Sequence, residues 1–244
     1  MAATHPETVV FLGASGGVGL SALKHVLATG RKCVALCRTP AKLAAILPPE
    51  ANPNLDILQG NAHDVTAVSR CLLAHPGELV DYVVSTIGSV FVASKMNIED
   101  PLVCSKGMSV LLEALTNLRR DGAVGNPHII SCSTTGISRF GRDIPIAMIL
   151  PYRLLKSPHE DKVAMEDHLV ASDENYTIVR PSLMLSEEET TKTIRVGLED
   201  AKTGRESVAL GYSITKGDAG RWIAQNLVLK KENRYNKKIA MITT

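Results

Sequence analysis

The sequence contains no apolar run close to the ~20 residues that a membrane-spanning helix needs, so we expect no membrane segment. It also lacks a cluster of basic residues. Its 27 Lys and Arg residues nearly balance 25 Asp and Glu residues, and the net charge of +2 is spread along the chain. Binding to nucleic acid depends on concentrated positive charge, so we expect no nucleic-acid partner. The first seven residues lack the basic and apolar character of a secretory leader.

The five cysteines form neither a metal-binding nor a disulfide pattern, and their odd number leaves one unpaired in any case. The chain also has no His-Glu-x-x-His motif, so we predict no metal site. This cysteine usage favours a reducing compartment, and we expect a cytoplasmic protein. The five residues are Cys33, Cys37, Cys71, Cys104 and Cys132.

What the chain does have is enough apolar material for a packed core. Of its 244 residues, 45% are hydrophobic and 21% are charged, which argues against global disorder. The length is ordinary for one doubly wound α/β domain with a small appendage. We therefore expect residues 1–244 to form a single domain.

Short apolar runs alternate with helix-like stretches as far as Pro181. The runs are rich in Val and Ile, which is typical of strands buried on both faces of a parallel sheet. Thr39-Pro40, Asp100-Pro101 and Ser157-Pro158 each place a capping side chain before a proline and predict helix starts. The alternation predicts an α/β fold with a doubly wound, mostly parallel sheet of Rossmann type. The predicted strands are residues 8–13, 32–37, 55–58, 81–85, 127–132 and 176–179.

The alternation changes after Pro181. Residues 186–212 read as polar segments, with one short strand candidate at 193–196, and we expect residues 182–215 to contribute a small C-terminal lobe on the substrate side. The charge run at 187–189 is typical of a solvated surface. A last helix is predicted over 218–229, after the capping residue Thr215, and a final strand over 238–242.

A glycine-rich turn follows the first predicted strand and opens a helix. It reads Gly13-Ala14-Ser15-Gly16-Gly17-Val18-Gly19. In this context Gly13 permits a sharp exit from the strand, Gly16 lets the backbone approach a diphosphate, and Gly19 lets the helix pack closely on the sheet. The positive end of the helix dipole then faces the phosphates. The turn therefore predicts a dinucleotide bound by Gly13 and residues 15–19.

Arg38 indicates which dinucleotide to expect. It ends the second strand, at the position that faces the adenosine ribose in this fold, where NAD-binding proteins usually carry a carboxylate. A guanidinium can instead pair with a 2′-phosphate, with Ser15, Thr39 or Lys42 as further donors. We therefore predict NADP(H) over NAD(H). The alternative is that Arg38 is a surface arginine at a strand end.

The ends of later strands supply the rest of the predicted cofactor groove, because ligands of open α/β sheets bind outside the carboxyl ends of the strands. Residues 133–136 follow the fifth predicted strand. The adenine end, the middle and the nicotinamide end are assigned to Asn61 and Ala62, to Ser85, Thr86, Ile87 and Gly88, and to Pro181, Ser182 and Leu183.

Together these motifs resemble the short-chain dehydrogenase/reductase superfamily, in its atypical, NmrA-like, NAD(P)H-binding branch. The resemblance covers nearly the whole chain and is specific for fold and cofactor, although not for substrate. It implies a Rossmann fold and a nicotinamide cofactor. It rests on the glycine turn, on residues 38–43, 60–64 and 85–88, on Asp161-Lys162 with Met165-Glu166, and on residues 176–181 and 214–219.

The resemblance implies a tyrosine four residues before a lysine on one helix, as proton donor and ribose anchor. Tyr152 and Lys156 have this spacing, but Ser157-Pro158 predicts that the helix begins at Ser157, after both of them. Lys162, in the second turn of that helix, matches the family's lysine better, which implies a hydrogen bond to the nicotinamide ribose. Its ammonium would lower the pKa of a nearby acid. Pro158 stands four residues before Lys162 and cannot donate a proton.

The proton donor is therefore open. Ser133 or Thr134 can orient a carbonyl, and Tyr152 or His159 can reach the site from the adjoining loop. Each also has a structural alternative, as a strand-end, core or exposed residue. The catalytic candidates are Lys162, Ser133, Thr134 and Tyr152.

Residues 144–151 form an unusually apolar connection before the helix of Lys162. The connection can be a lid over a lipophilic substrate, a core segment or a dimer contact, so monomer and homodimer are both open. The favoured function is a reductase in which NADPH reduces a carbonyl, imine or activated alkene of a small organic molecule. The missing tyrosine also fits an NmrA-like dinucleotide sensor without turnover. An isomerase, dehydratase or cyclase that keeps the cofactor fold is the third alternative.

Overall fold

A nine-stranded sheet forms the centre of the computed structural model, which describes residues 7–88, 91–92, 97–98, 100–153, 156–230 and 233–244. Each apolar run that was predicted to be a strand overlaps one of its strands. The strands are β1 Thr8–Leu12, β2 Lys32–Cys37, β3 Leu55–Gln59, β4 Tyr82–Ser85, β5 His128–Cys132, β6 Asn175–Pro181, β7 Arg195–Asp200, β8 Gly204–Arg205 and β9 Lys238–Thr243.

The order across the sheet is β8-β7-β9-β6-β5-β4-β1-β2-β3. All neighbours from β9 to β3 are parallel, and β7 and β8 add antiparallel strands at one edge. The chain runs from β1 outward through β2 and β3, then returns to the other side of β1 with β4. The crevice at the carboxyl ends of β1 and β4 is therefore the topological switch point, where doubly wound sheets bind their ligands. The predicted Rossmann-type fold is confirmed.

Helices cover both faces of the sheet. Alternate strand residues point to opposite faces, so Val9 and Phe11 of β1 join one apolar layer, and Val10 and Leu12 join the other. The first layer packs against α1 and α7, the second against α3, α4 and α6. No helix in the described ranges is both long enough and apolar enough to cross a bilayer. The α-helices are α1 Gly17–Leu27, α2 Pro40–Ala44, α3 Val65–Cys71, α4 Val103–Arg120, α5 Ile149–Arg153, α6 Lys156–Ala171 and α7 Lys216–Ile223.

Two helix starts differ from the sequence prediction. Helix α2 begins at Pro40 as expected, but α4 begins at Val103, because Asp100 accepts the N–H of Leu102 within a turn that precedes the helix. The helix that carries Lys162 does not begin at Ser157, because Lys156 is already helical. Tyr152 is also helical, within Ile149–Arg153, so the prediction that both residues precede a helix is wrong.

The C-terminal part also differs in detail. Thr215 caps α7 by accepting the N–H of Asp218, so the helix begins at Lys216 and not at 218, and a π-helix continues it over Ala224–Leu229. Strand β7 is longer than the predicted 193–196 and lies with β8 at the edge of the main sheet. Leu183–Met184 instead pairs with Ser213–Ile214 in a small separate sheet. The substrate-side lobe at 182–215 stays a prediction.

Candidate functional site

The glycine turn lies at the topological switch point, between the end of β1 and the start of α1. Gly13 has a φ of +96°, and a Cβ there would lie 2.9 Å from the main chain of Thr86. A Cβ on Gly19 would meet Thr86 Oγ1 at 2.3 Å and Gly13 O at 2.6 Å. Among the residues that the structure describes, none has an atom within 4 Å of a Cβ built on Gly16, so that edge of the turn is open to a ligand. These features fit a diphosphate that approaches the main chain at the start of α1.

Thr86 holds the two sides of the switch point together. Its N–H donates to Leu12 O at 2.8 Å, and its hydroxyl donates to Gly13 O at 3.1 Å. Of its neighbours in the predicted groove, Ser85 is a buried end residue of β4, and Ile87 packs against Gly107 of α4. The turn is therefore braced from the next strand of the sheet.

The predicted 2′-phosphate residues lie together at the end of β2. Ser15 Oγ donates to Cys37 Sγ at 3.4 Å, which brings the glycine turn next to Arg38. Arg38, Thr39 and Lys42 are exposed, and within the described ranges neither Arg38 nor Lys42 forms an ion pair. Two free cations and a hydroxyl at this position suit a phosphate more than the diol of an unmodified ribose.

The remaining groove residues follow β3 and β6. Asn61 is exposed after β3 and accepts the N–H of His63, and Ala62 is half-buried. At the other end, Pro181 O accepts the N–H of Thr135 at 3.1 Å. The Ser182 hydroxyl donates to Thr243 Oγ1 at 2.9 Å and is therefore already bound within the protein. Leu183 is exposed.

Lys162 is half-buried and connects two strand ends of the predicted groove. Its Nζ donates to Cys132 O at 2.6 Å and to Ile87 O at 3.2 Å, and so bridges the chain segments that leave β4 and β5. Burial acts to lower the pKa of Lys162, but the neighbouring Cys104, Cys132 and Asp161 raise it overall, so the side chain is a cation at neutral pH. Two of its three protons are used by these carbonyls, which leaves one for a ligand.

Asp161, the residue before Lys162, fixes the helix that carries the lysine. Its buried carboxylate accepts the N–H groups of Cys104 at 2.8 Å and Ser105 at 2.9 Å. These are among the first N–H groups of α4, which have no partner inside their own helix. Helix α6 therefore caps α4 from outside, and the position of Lys162 is set by this contact.

Ser133 and Thr134 differ in what their hydroxyls do. Ser133 Oγ is fully buried and has no hydrogen-bond partner among the residues that the structure describes. Thr134 Oγ1 donates to Thr135 O at 3.2 Å. A buried hydroxyl without a partner is unusual in folded proteins and points to a missing ligand or water. Of the two, Ser133 is thus the one whose hydroxyl is available.

Tyr152 reaches the same region from α5. Its hydroxyl lies 3.1 Å from Thr135 Oγ1, and the main chain of Leu183 also hydrogen-bonds to it. Thr135 donates its own proton to Pro181 O at 3.3 Å, so the Tyr152 hydroxyl is the donor to Thr135. Burial raises the pKa of Tyr152, and the carboxylate of Asp143 adds to this, so the phenol is protonated at neutral pH.

His159 packs beside Tyr152, with 5.4 Å between the two ring centroids. Burial lowers its pKa, so the imidazole is neutral at neutral pH. Asp143 accepts the N–H of Gly136 at 2.9 Å and holds the loop under both rings. His159 is thus half-buried against Tyr152, and not the exposed residue that was one of the alternatives.

A cavity of about 660 Å³ lies beside the Tyr152 ring. Its walls are mainly apolar, and its charged residues are paired, Lys156 with Glu160 and Asp167 with Arg139. The cavity is within the size range of small-molecule sites, and Tyr152 forms part of its wall. The cavity is lined by Gly136, Ile137, Ile144, Ile149, Tyr152, Lys156, His159, Glu160, Val163, Ala164 and Asp167.

The residues of the apolar connection at 144–151 lie in different environments. Ile144 is buried, Ile149 lines the cavity, and Ile146 and Leu150 are about 70% exposed. A core role thus applies to Ile144 alone, and the lid and dimer alternatives apply to the exposed residues.

The charge run at 187–189 is exposed, as the sequence predicts, but it makes specific contacts. Glu187 pairs with Lys216 at 2.6 Å. Glu189 Oε1 lies 3.0 Å from Ser21 Oγ and 2.8 Å from His25 Nε2. Sequence reasoning missed these contacts, together with those of Thr135 and Asp161, because each joins residues far apart in the chain. It also missed the contact of Asp143 with Gly136, which lies within one loop.

Comparisons with known proteins show the family of the chain. A family model described as NAD(P)H-binding matches residues 13–227. The chain is 36% identical to "Reductase pytE" of Aspergillus terreus, with 97% of both chains covered. It is 29% identical to "Oxidase pynE" of Aspergillus niger, with 93% of this chain and 95% of that protein covered.

A solved structure adds support for the fold. A short-chain dehydrogenase/reductase from Veillonella parvula, in complex with NADP, superimposes with a TM-score of 0.69. The two chains are 15% identical, and the match covers 98% of this chain and 95% of the other. At this identity the likeness concerns the fold.

Proposed function

Because the chain belongs to the NAD(P)H-binding family and is an oxidoreductase, we propose that it is an NADPH-dependent reductase of a small, lipophilic organic molecule. The reducible group is a carbonyl, an imine or an activated alkene. The observation that carries the proposal is the ammonium of Lys162, which bridges Cys132 O and Ile87 O beside the glycine turn. When bound, NADPH supplies the hydride.

The chain binds the cofactor along the switch point. Main-chain N–H groups of residues 15–19 receive the diphosphate, at an edge where Gly16 leaves open space. Arg38 binds the 2′-phosphate, with Ser15, Thr39 and Lys42 as further donors. The free positive charge at the end of β2 supports NADPH over NADH.

Lys162 orients the nicotinamide end. Two of its protons form hydrogen bonds to main-chain carbonyls, so the ammonium is fixed in place, and its third proton would bind a ribose hydroxyl of the cofactor. Its positive charge also stabilises negative charge that develops nearby during reduction.

Tyr152 donates the proton and Ser133 orients the substrate oxygen. The raised pKa keeps Tyr152 protonated at neutral pH, and its hydrogen bond to Thr135 holds the hydroxyl at the ends of β5 and β6 until the proton is donated to the substrate. Ser133 Oγ needs a partner, and a substrate oxygen would provide one. This arrangement gives the proton-donor role to a tyrosine ten residues before Lys162, since Pro158 stands four residues before it.

The apolar cavity beside Tyr152 receives the body of the substrate. Its walls favour an uncharged, largely apolar molecule, because the lysine and carboxylates at its rim are already paired. Burial of apolar surface contributes roughly 25 cal/mol per Å², so larger ketones should bind more tightly than small ones.

The test is consumption of NADPH with a panel of aldehydes, alkyl and aryl ketones, enones and cyclic imines. We expect stoichiometric product and a higher kcat/KM for the more apolar members. The Lys162→Met variant should lower kcat/KM by about 10²-fold, the cost of losing orientation near the reacting atoms. The control is Lys106→Met, an exposed lysine of α4, which should match the wild type. Tight NADPH binding with no turnover of any compound would instead favour a dinucleotide sensor.

A further inference from the structure

A short acidic segment crosses the glycine turn. Residues 186–190, the acidic strap, are held at both ends: the N–H of Lys216 donates to Ser186 O at 2.8 Å, and Thr190 donates to the carboxylate of Asp218 through its N–H at 2.8 Å and its hydroxyl at 2.6 Å. In addition, the Glu189 carboxylate accepts a hydrogen bond from Ser21, which lies in the second turn of α1. The strap therefore has a defined path over the start of α1.

Glu187 and Lys216 meet above the turn itself. Their ion pair measures 2.6 Å, between Lys216 Nζ and Glu187 Oε1. A Cβ built on Gly17 would lie 3.4 Å from Lys216 Cδ and 3.8 Å from Glu187 Oε2. Gly17 is the first residue of α1 and has a φ of +58°. The pair thus lies against the residue at which a diphosphate would meet the helix.

The positions of these two charges would let an anion replace Glu187 as the partner of Lys216. Glu187 lies near the positive end of the α1 dipole, where any anion is favoured. Lys216 is the first residue of α7, where a helix dipole disfavours a cation, so its stability there depends on a nearby negative group. A diphosphate at the start of α1 would bring negative charge to the same place. Its oxygens and the Glu187 carboxylate would then compete for one ammonium.

We propose that Lys216 is a further cofactor-binding residue, which contacts the diphosphate of the dinucleotide, and that Glu187 holds Lys216 in place until the cofactor replaces it. This inference rests on the proposed cofactor site. Because NADPH and NADH share the diphosphate, Lys216 should act on both alike. Arg38, at the 2′-phosphate, should act on NADPH alone.

Isothermal titration calorimetry of the full chain with NADPH and with NADH tests the proposal. Lys216→Met should weaken both dinucleotides by the same factor, about 10-fold, the usual cost of losing one charge-assisted hydrogen bond. Lys216→Arg keeps the cation and should restore most of the affinity. Glu187→Gln should tighten both, by about 3-fold, because a competing carboxylate is removed. The control is Glu188→Gln, at an exposed neighbour in the strap, which should match the wild type.

The outcomes separate this inference from the cofactor assignment. Unchanged affinity of Lys216→Met for both dinucleotides, with normal binding by the wild type, would overturn the role of Lys216. Weaker binding by Glu187→Gln would overturn the competition. If the folded wild type bound neither dinucleotide, the proposed function would fail, and this inference with it. If Lys216→Met does not fold, Lys216→Arg is measured instead. Loss of affinity in the arginine variant would contradict the proposal, because that variant keeps the cation.

Discussion

The Tyr152 hydroxyl donates a hydrogen bond to Thr135 Oγ1 over 3.1 Å, and the Thr135 hydroxyl donates a hydrogen bond to Pro181 O. This chain of hydrogen bonds links α5 to the ends of β5 and β6. It places a protonated phenol at the edge of the sheet, although Tyr152 is ten residues before Lys162 in the sequence. A tyrosine ten residues before the lysine thus reaches the end of β5, where Lys162 binds Cys132 O.

Replacing Tyr152 by Phe removes the proposed proton donor and keeps the ring against His159. We expect kcat to fall by about 10² to 10⁴, the usual contribution of general acid catalysis, with NADPH affinity unchanged. Steady-state kinetics on the best substrate of the panel, with a separate NADPH titration, measure both. Tyr212→Phe, at an exposed tyrosine, is the control. Unaltered kcat in Tyr152→Phe would assign the proton to another group.

Replacing Arg38 by Asp places a carboxylate at the proposed 2′-phosphate position. NADPH should bind at least ~10-fold more weakly, since a charge-assisted contact is lost and a repulsion is added, whereas NADH should bind as well as before or better. Fluorescence titration with each dinucleotide measures the ratio. Arg120→Asp makes the same change of charge at an exposed arginine of α4 and should leave the ratio unaltered. Equal losses for NADPH and NADH would contradict the assignment.

Replacing Arg180 by Met tests a buried charge network. Arg180 of β6 binds Glu166 of α6 at 2.6 Å and Glu199 of β7 at 2.9 Å, and all three side chains are buried. Without the guanidinium, Glu166 loses its partner, so unfolding should become easier by about 3–5 kcal/mol.

Urea unfolding of this variant, beside the wild type, measures the change. Arg139→Met breaks an exposed pair with Asp167 and should cost under about 1 kcal/mol. Equal losses in the two variants would show that the buried network adds nothing to stability.

His128 makes stability depend on pH. Burial lowers its pKa to about 4, from an ordinary value of 6.5. Its Nε2 donates to Thr177 Oγ1 at 2.8 Å, because Thr177 donates in turn to Tyr235 O. Below about pH 6.5 the unfolded chain takes up a proton that the folded protein refuses until about pH 4. The free energy of unfolding should therefore fall across this range by as much as about 3 kcal/mol.

His128→Gln keeps an N–H donor and cannot titrate. Its free energy of unfolding should fall less than that of the wild type between pH 6.5 and 4, as measured by urea titrations at several pH values. His75→Gln, at an exposed histidine, should follow the wild type. The same pH dependence in His128→Gln as in the wild type would remove His128 as the cause.

Much of the fold could be predicted because its elements are local. Strand β2 has the predicted bounds, and β1 and β9 differ from theirs by one residue, since a parallel strand buried on both faces is recognisable from its own residues. The start of α2 at Pro40 was likewise predicted. The start of α4 was not, because the carboxylate that caps it belongs to Asp161, more than fifty residues later in the chain.

The residues of the candidate site likewise differ in whether the sequence could predict them. Gly13, Gly19 and Arg38 were identified from the sequence, because a tight turn and the end of a strand depend on neighbouring residues alone. The sequence by itself thus determined the Rossmann sheet, the glycine turn and the basic end of β2. Only the tertiary structure decided that Tyr152 meets Thr135 and that Glu187 lies over Gly17. These contacts join residues that are distant in the chain, and packing alone brings them within hydrogen-bond or van der Waals distance.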